Sequence, residues 1–538
     1  MLLTWPKLPQ IPEVSEEERS PLILALLEVC GCLQERVYLQ AELIQALKDE
    51  NAILKGEKPK PDIKPSQLGK KSPGERQKTD KPSKRPGSEK RKKKLAIHKT
   101  EVVHPENIPA GSRFKGYQKF HVQDISFVPY NTCYKLARYV TPSGDTIIGK
   151  IPEGIARDHF GINLIRYILY QRYHARVPQA LILEQLLECG IDISAGQVNR
   201  ILTEGHDVFH AEKQEILKVG LEVSEYINVD DTGARHKGRN GYCTHIGNDM
   251  FAYFESTDSK SRVNFLTVLR GNGTDYVLIP EAILYMKAQG LPQKVLLTLN
   301  GLEEKQFSTK EEWDMFLTDS GIVNPRHIKI VTEGALLGSI LERGINKELV
   351  IVSDDAGQFN ILLHALCWIH AERNIKKLVG FNDEQRHALE SVREQIWDLY
   401  RDLKEYKENP DEDKVKQLEQ RFDELFSTKT CFASLNLALS KIQSNKSELL
   451  LVLQRPEIPL HNTGSENAIR EYVTVRKISA STRNDLGRQC RDTFTSNKKT
   501  CRKNAVSFWD YLGDRLSGRN IIPRLADLIR SRARAPNL

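Results

Sequence analysis

No run of eighteen apolar residues occurs anywhere in the 538-residue chain, so no membrane-spanning helix is expected. The opening stretch, MLLTWPKLPQIPEVSEEE, has no basic n-region, and prolines break its apolar part, so it does not read as a signal peptide. Cysteine is sparse: nine residues, an odd number, without one CxxC pair. That excludes a disulfide framework and offers no zinc knuckle, so reduced and mostly buried thiols are expected. With neither export signal nor membrane span, the expected location is the cytoplasm.

The chain is too long for one ordinary domain, and three or four structural units are expected. Apolar residues at 39% suffice for real cores, and 28% charged residues suit a soluble protein. Net charge is +8, from 79 Lys and Arg against 71 Asp and Glu. It is unevenly spread. Residues 58–100 hold sixteen Lys and Arg against four Asp and Glu, a local +12, so the remainder is about −4. A polybasic tether favours a polyanion, most commonly nucleic acid; the alternative is a solubilising linker.

Residues 1–56 hold a candidate coiled coil. Over 20–55, Leu26, Leu33, Leu47 and Leu54 share one heptad position, with Gln40 the polar exception. Cys30, Val37, Ile44 and Asn51 lie three residues earlier in each heptad. This favours a parallel two-stranded coiled coil and self-association, against an amphipathic helix packed on its own chain. Residues 57–100 are rich in Lys, Pro and Ser and cannot fold alone. Residues 101–155 read as a small β-rich module, a candidate for DNA binding. FHVQDISFV and CYKLARYVTP are its expected strands, with a turn at Ser143-Gly144-Asp145.

Residues 156–215 are helical. LILEQLLECGIDISAGQVNRILTEG predicts a helix, a turn at Gly190 and a second helix capped by Ser194. That outlines a helix-turn-helix, in which Gln197, Asn199 and Arg200 would read bases; an ordinary helical hairpin is the alternative. Over 222–272 the period changes: VSEYINVDDTGAR, GYCTHIG and MFAYFES predict three strands with turns at Asn240-Gly241 and Gly247-Asn248-Asp249, then a helix near 259–270. Residues 273–346 interrupt this pattern as an insertion. Over 347–382, KELVIVSDDAGQF predicts a strand ending in two carboxylates and LLHALCWIHAERNIKKL a helix. Residues 383–458 predict a helical insertion, 459–515 a last core helix, and 516–538 a basic tail.

Asp230 and Asp354 each stand near an expected strand end, and Glu466 opens a later helix. Cutting or joining phosphodiesters calls for two Mg²⁺ ions (or Mn²⁺) about 3.5–4 Å apart, held by oxygen ligands. Three carboxylates on neighbouring rigid elements meet that need. Both aspartates are doublets, with Asp231 and Asp355 as secondary candidates, and only one of each pair can face a shared ion on a strand. Alternatives stand beside each: Asp-Asp-Thr-Gly and Asp-Asp-Ala-Gly suit turns, and Glu466 fits a capping box with Thr463.

Four motifs in order, VDDTG (229–233), VSDDAGQFN (352–360), ALCWIHAER (365–373) and NTGSENAIREYV (462–473), resemble the transposases of the insertion-sequence-66 family. The zipper-like helix running into LKGEKPKP (54–61) adds a further match. The resemblance spans nearly the whole chain and is strongest over about 160–515. It implies a multidomain α/β protein with an RNase H-like mixed-sheet core and helical insertions. It implies a D-D-E site of Asp230, Asp354 and Glu466, two divalent ions, and a Cys367-x-x-His370 pair that is structural or orients the site. The implied partners are DNA, as terminal inverted repeats and target, a second copy of the chain, and accessory proteins from the same element. The implied place in the cell is the nucleoid when DNA is bound. Arg470, one turn after Glu466, with Arg476, Lys477, Arg483 and Arg488, would contact phosphates beside the cut or form a solvated surface. Family members usually carry a cysteine-rich zinc element between zipper and core. Residues 101–150 hold only Cys133, so here the module would recognise DNA without metal. The rival functions are a catalytically silent DNA-binding protein and a nuclease of the same fold without strand transfer.

Overall fold

The computed structural model describes residues 20, 23, 26–31, 33, 96–107, 109, 112–151, 156, 157, 159–302 and 305–534. The chain divides into two compact units, Cys32–Phe127 and Met1–Gly31 with Val128–Leu538. The expected coiled coil falls almost wholly outside the described residues, although 26–31 are helical; most of the basic tether, 57–95, also lies outside. In the smaller unit, described residues 96–127 carry neither helix nor strand. The strand expected from FHVQDISFV therefore does not form. Alternation alone cannot make a strand without a ladder partner. The hairpin that does form pairs Arg138–Val140 with Thr146–Ile148 across the expected turn, and leaves that stretch none.

The larger unit is built on a five-stranded sheet. Its strands are β1 (Tyr226–Gly233), β2 (Tyr242–Gly247), β3 (Ala252–Thr257), β4 (Val350–Ser353) and β5 (Leu363–Leu366). The order across the sheet is β5-β4-β1-β2-β3. The first three form an antiparallel meander, and β4 and β5 run parallel to β1. The three strands expected over 222–257 thus appear where the alternation put them.

β5 is a correction, since LLHALCWIHAERNIKKL reads as one helix. Four residues are too few for periodicity to separate strand from helix. Tertiary partners decide: the His364 ring bridges Ser353 Oγ (2.8 Å) and Glu448 Oε1 (2.8 Å). The helix proper begins at Trp368.

Leading into the sheet are α1 (Ile162–Tyr173), α2 (Gln179–Glu188), α3 (Ala195–Thr203) and α4 (Asp207–Val223). Gly190, at φ 78°, turns the chain between α2 and α3, a left-handed conformation that suits glycine. Ser194 caps α3 in a complete capping box with Gln197. Helix α5 (Arg262–Arg270) follows β3. Residues 273–346 contain α6 (Pro280–Ala288), α7 (Gln293–Asn300), α8 (Lys310–Asp319) and α9 (Pro325–Glu342). They share one core with α1, α4 and the sheet face bearing Ile227, Val229, Ile246 and Tyr253.

Helices α10 (Trp368–Lys376), α11 (Asp383–Glu408), α12 (Glu412–Ser427) and α13 (Ala433–Ser444) bury Trp368, Phe422 and Leu435 against Val350 and Val352. Helix α14 (Thr463–Ser479) covers the other face of the meander, packing Ala468, Ile469 and Tyr472 on Cys243, Ala252 and Phe254. The chain closes with α15 (Asp485–Lys503), α16 (Phe508–Leu516) and α17 (Leu525–Arg534). Helix α15 lies along the outer edge of β3. Thr500 Oγ1, Ser496 Oγ and Asp492 Oδ2, four residues apart, accept the edge N–H groups of Ala252, Phe254 and Ser256. One helical stripe thus satisfies donors that a bare edge would leave open. Among the described residues no helix is long and apolar enough to cross a membrane.

Candidate active site

The strand register decides which aspartate of the first doublet faces the later helix. Asp230 pairs across the sheet with His245, and Asp231 with Thr244. Neighbours on a strand point to opposite faces, whereas cross-strand partners share one. His245 is buried and its Nδ1 lies 2.6 Å from Ser465 Oγ, on α14 and adjacent to Glu466. Asp230 therefore shares its face with the helix that carries Glu466. Asp231 is taken up on the other face, accepting from Thr244 Oγ1 (2.6 Å) and Gln358 Nε2 (3.0 Å).

The second doublet lies just beyond the end of β4. Val350 and Val352 lie beside Tyr226 and Asn228. Asp354 follows directly on Ser353, the last residue of β4, and its charge bears on both Asp230 and Asp231. Asp354 Oδ1 accepts from the Ala356 N–H (3.2 Å), bending the chain off the strand, while Asp355 pairs with Lys441.

Helix α14 begins against β1. Asn462 Nδ2 donates to the Val229 carbonyl (2.7 Å), one residue before Asp230. The Asn462 N–H meets Cys367 Sγ (3.2 Å) at the start of α10. Gly464 permits this approach: a Cβ there would stand 3.0 Å from Asn228 Oδ1. The capping box expected between Thr463 and Glu466 is absent, because the helix is capped at Asn462, one residue earlier. The Glu466 carboxylate instead meets Arg373 Nη1 (3.1 Å) and His370 Nε2 (3.4 Å). So Cys367 ties the starts of two helices together, and His370 with Arg373 fixes the direction of Glu466.

Electrostatics mark the same spot. Burial pushes the Asp230 carboxyl up to about 7, assisted by the negative charges of Asp354 and Asp231 and opposed by the Asp231 N–H and Lys260. Asp231 is also raised, chiefly by burial. A divalent cation would relieve this repulsion, and an all-oxygen donor set of Asp230, Asp354 and Glu466 suits a hard ion. Among the described residues no three His, Cys, Asp or Glu side chains are drawn together as a metal-holding group. Glu466 would have to leave Arg373 to complete one.

A family model described as Transposase IS66 family matches residues 337–489. The match runs from α9 into α15 and includes Asp354, Cys367, His370, Arg373 and Glu466, though not Asp230. A relative from Sinorhizobium fredii (strain NBRC 101917 / NGR234), named Uncharacterized protein y4jO, is 41% identical over 322 residues, covering 59% of this chain and 100% of that protein. The chain belongs to the IS66 transposase family. The segments about Asp354, Cys367 and Glu466 lie within the matched stretch.

The expected DNA-reading residues fare unequally. Asn199, Arg200, Arg470, Lys477 and Arg483 are exposed or partly so. The Gln197 side chain is spent on the cap of α3, accepting from the Ser194 N–H (2.9 Å). Arg476 is turned inward onto the Gly233 carbonyl. Arg488 is shared between Asp258 (3.4 Å) and Asp485 (3.6 Å). Sequence reasoning missed Asn462, His245, Lys260 and Arg373. Asn462 and Arg373 lie inside quoted motifs and were open to discovery there. The partners of His245 and Lys260 come only from the fold.

Proposed function

We propose that this chain is a D-D-E DNA transposase that binds the terminal repeats of its element and catalyses cleavage and strand transfer. One observation carries the reading: Asp230 and the helix start bearing Glu466 share one sheet face, tied through Asn462 to Val229 and Ser465 to His245, with Asp354 directly after the end of the adjoining strand. A meander of three strands, two further parallel strands and a helix bearing Glu466 laid across them support the reading of an RNase H-like core. Bound at these carboxylates, Mg²⁺ or Mn²⁺ would supply Lewis-acid polarisation of the phosphoryl oxygen and lower the pKa of the attacking water or 3′-hydroxyl.

The side chains do the rest. Asp230 and Asp354 provide negative charge in a half-buried place. Arg373, half-exposed beside Glu466, would meet a phosphate oxygen. An in-line displacement by water breaks a phosphodiester and leaves a 3′-hydroxyl. That hydroxyl then displaces a second phosphodiester in target DNA, with no covalent enzyme intermediate. The α2–α3 helix pair would hold DNA as a helix-turn-helix, the basic tether would add salt-dependent phosphate contacts, and the N-terminal heptads would pair two copies so that two ends are held together. Accessory proteins of the same element would complete the assembly.

A second reading, a DNA-binding protein without cleavage, draws on the engagement of Glu466 by Arg373 and His370. Metal-dependent cleavage of DNA carrying the element ends separates the two. Wild type should cut, while Asp230→Ala, Asp354→Ala and Glu466→Ala should bind and not cut. Variants that cut like wild type would refute the site. Binding without cutting by wild type, with accessory proteins supplied, would favour the second reading. Cut ends that never join to a target plasmid would identify a nuclease.

A further inference from the structure

On the far side of α14 from Glu466, one carboxylate is surrounded by four cations. Glu471 is paired with Lys498, with Lys499 Nζ at 2.6 Å, with Arg176 Nη2 at 3.4 Å and with Arg502 Nη1 at 3.5 Å. The lysines form a buried base, with side chains 2% and 11% exposed, and Lys498 also donates to the Tyr173 carbonyl (2.9 Å). The arginines overhang it at 34% and 58% exposure. Two lysines more than neutralise the carboxylate, so the arginines add charge that nothing in the cluster balances. Their distances to Glu471 exceed those of a good charged hydrogen bond.

Three further observations point the same way. Arg176 Nε is buried and has no hydrogen-bond acceptor, and His174 Nδ1 beside it is buried without a partner. Arg176 also sits at φ 68°, in the left-handed region that a non-glycine residue occupies at a cost. That strain is retained where it sets the guanidinium over the lysines. The positive field is felt locally: burial first, then Lys498, Arg502 and Arg176, hold His174 below its ordinary value. Like charges gathered over a buried base repel one another, and a further anion would relieve that repulsion.

We propose that Arg176 and Arg502, above the Glu471–Lys498–Lys499 base, bind one phosphate group of a nucleic-acid backbone. The site lies where α1, α14 and α15 meet, beside the helices proposed to hold DNA, and it rests on the reading that DNA is the partner. A phosphate there would accept from the exposed guanidinium edges of both arginines, and would offset the excess charge.

The test uses the full chain and a labelled random-sequence duplex, with binding followed against KCl. Arg176→Gln with Arg502→Gln should lower the slope of log affinity against log salt by about 0.9, which is roughly an eightfold loss near 0.1 M salt. Arg176→Lys with Arg502→Lys should restore much of it. An unchanged melting midpoint without DNA shows that the variant folds, and Arg502→Gln alone, at the most exposed position, serves if the pair does not. A second arm compares melting in inorganic phosphate and in chloride at equal ionic strength. Loss of phosphate protection together with the slope change supports the site. Loss of phosphate protection with an unchanged slope would assign it to a free anion and overturn the backbone assignment. A variant like wild type in both arms overturns the site while leaving the function reading intact. Failure of wild type to bind the duplex at all would defeat both.

Discussion

Asp230→Asn should make the protein more stable above neutral pH, although it removes a residue proposed to be essential. In the folded chain Asp230 keeps its proton up to about pH 7, against an ordinary value of 3.8. The protonated carboxyl therefore contributes stability that is complete below pH ~4 and lost as the pH rises to about 7. Each pH unit in that window costs about 1.4 kcal/mol. The full penalty at pH 8 is then roughly 2–4 kcal/mol, the lower figure allowing for the solvent this side chain reaches. Asparagine mimics the protonated form at every pH and escapes the penalty. At about 2.1 cal/mol/K of unfolding entropy per residue, a cooperative unit of roughly 375 residues should gain some 3–5 °C in Tm. Calorimetry of wild type and variant at pH 4.5 and pH 8 reads this directly. The gap should be large at pH 8 and shrink to roughly a quarter at pH 4.5. Added MgCl₂ should raise the wild-type Tm at pH 8 and leave the variant unmoved. A variant no more stable at pH 8, or a gap indifferent to pH, would refute the buried charge at Asp230.

Three other outcomes are expected. Arg373→Gln should leave duplex affinity within a few-fold and slow single-turnover cleavage by roughly 10–100-fold, the worth of one charge-assisted hydrogen bond at about 1.5–3 kcal/mol; unchanged cleavage would remove Arg373 from the site. Asn462→Ala strands the Val229 carbonyl and should cost about 1–3 kcal/mol in urea unfolding, with cleavage falling further as Glu466 loses its footing. Glu471 is held below the ordinary carboxylate range by Lys498 and Lys499, which outweigh its burial. Its stabilisation is present above about pH 4.5 and fades as the pH falls, so Glu471→Gln should destabilise by about 3–5 kcal/mol at pH 7, with a difference that narrows in acid.

Much of this molecule could be read without coordinates where a single chain segment carries its own pattern. The meander over 226–257, the Ser194 cap and the Gly190 turn are local features, and each appears as expected. The readings that failed needed distant partners. Leu363–Leu366 becomes a strand because β4, Ser353 and Glu448 receive it, and Phe120–Val128 does not because no ladder is offered. Glu466 looked like a capping residue because TGSE fits that pattern, yet Asn462 starts the helix and the carboxylate turns to α10. The doublets show the division best. Periodicity left the choice within Asp230-Asp231 open and the resemblance put it on Asp230; the cross-strand positions of His245 and Thr244 put Asp230 on the face that α14 covers. The insertion over 273–346 had no account from sequence. Its Glu333 and Tyr285 engage Arg262, whose other edge holds the Gly357 carbonyl just past Asp354.

The edge of β3 is closed by side chains that arrive 248, 242 and 236 residues later in the chain. A copy of the gene interrupted before Asp492 would make the sheet without its cover. Such a product exposes the N–H groups of Ala252, Phe254 and Ser256 as a template for strand addition by another molecule. Such a truncated chain would associate with itself through that edge rather than persist as a stable folded product. The last helices thus decide whether the sheet ends within its own chain or offers its edge to another molecule.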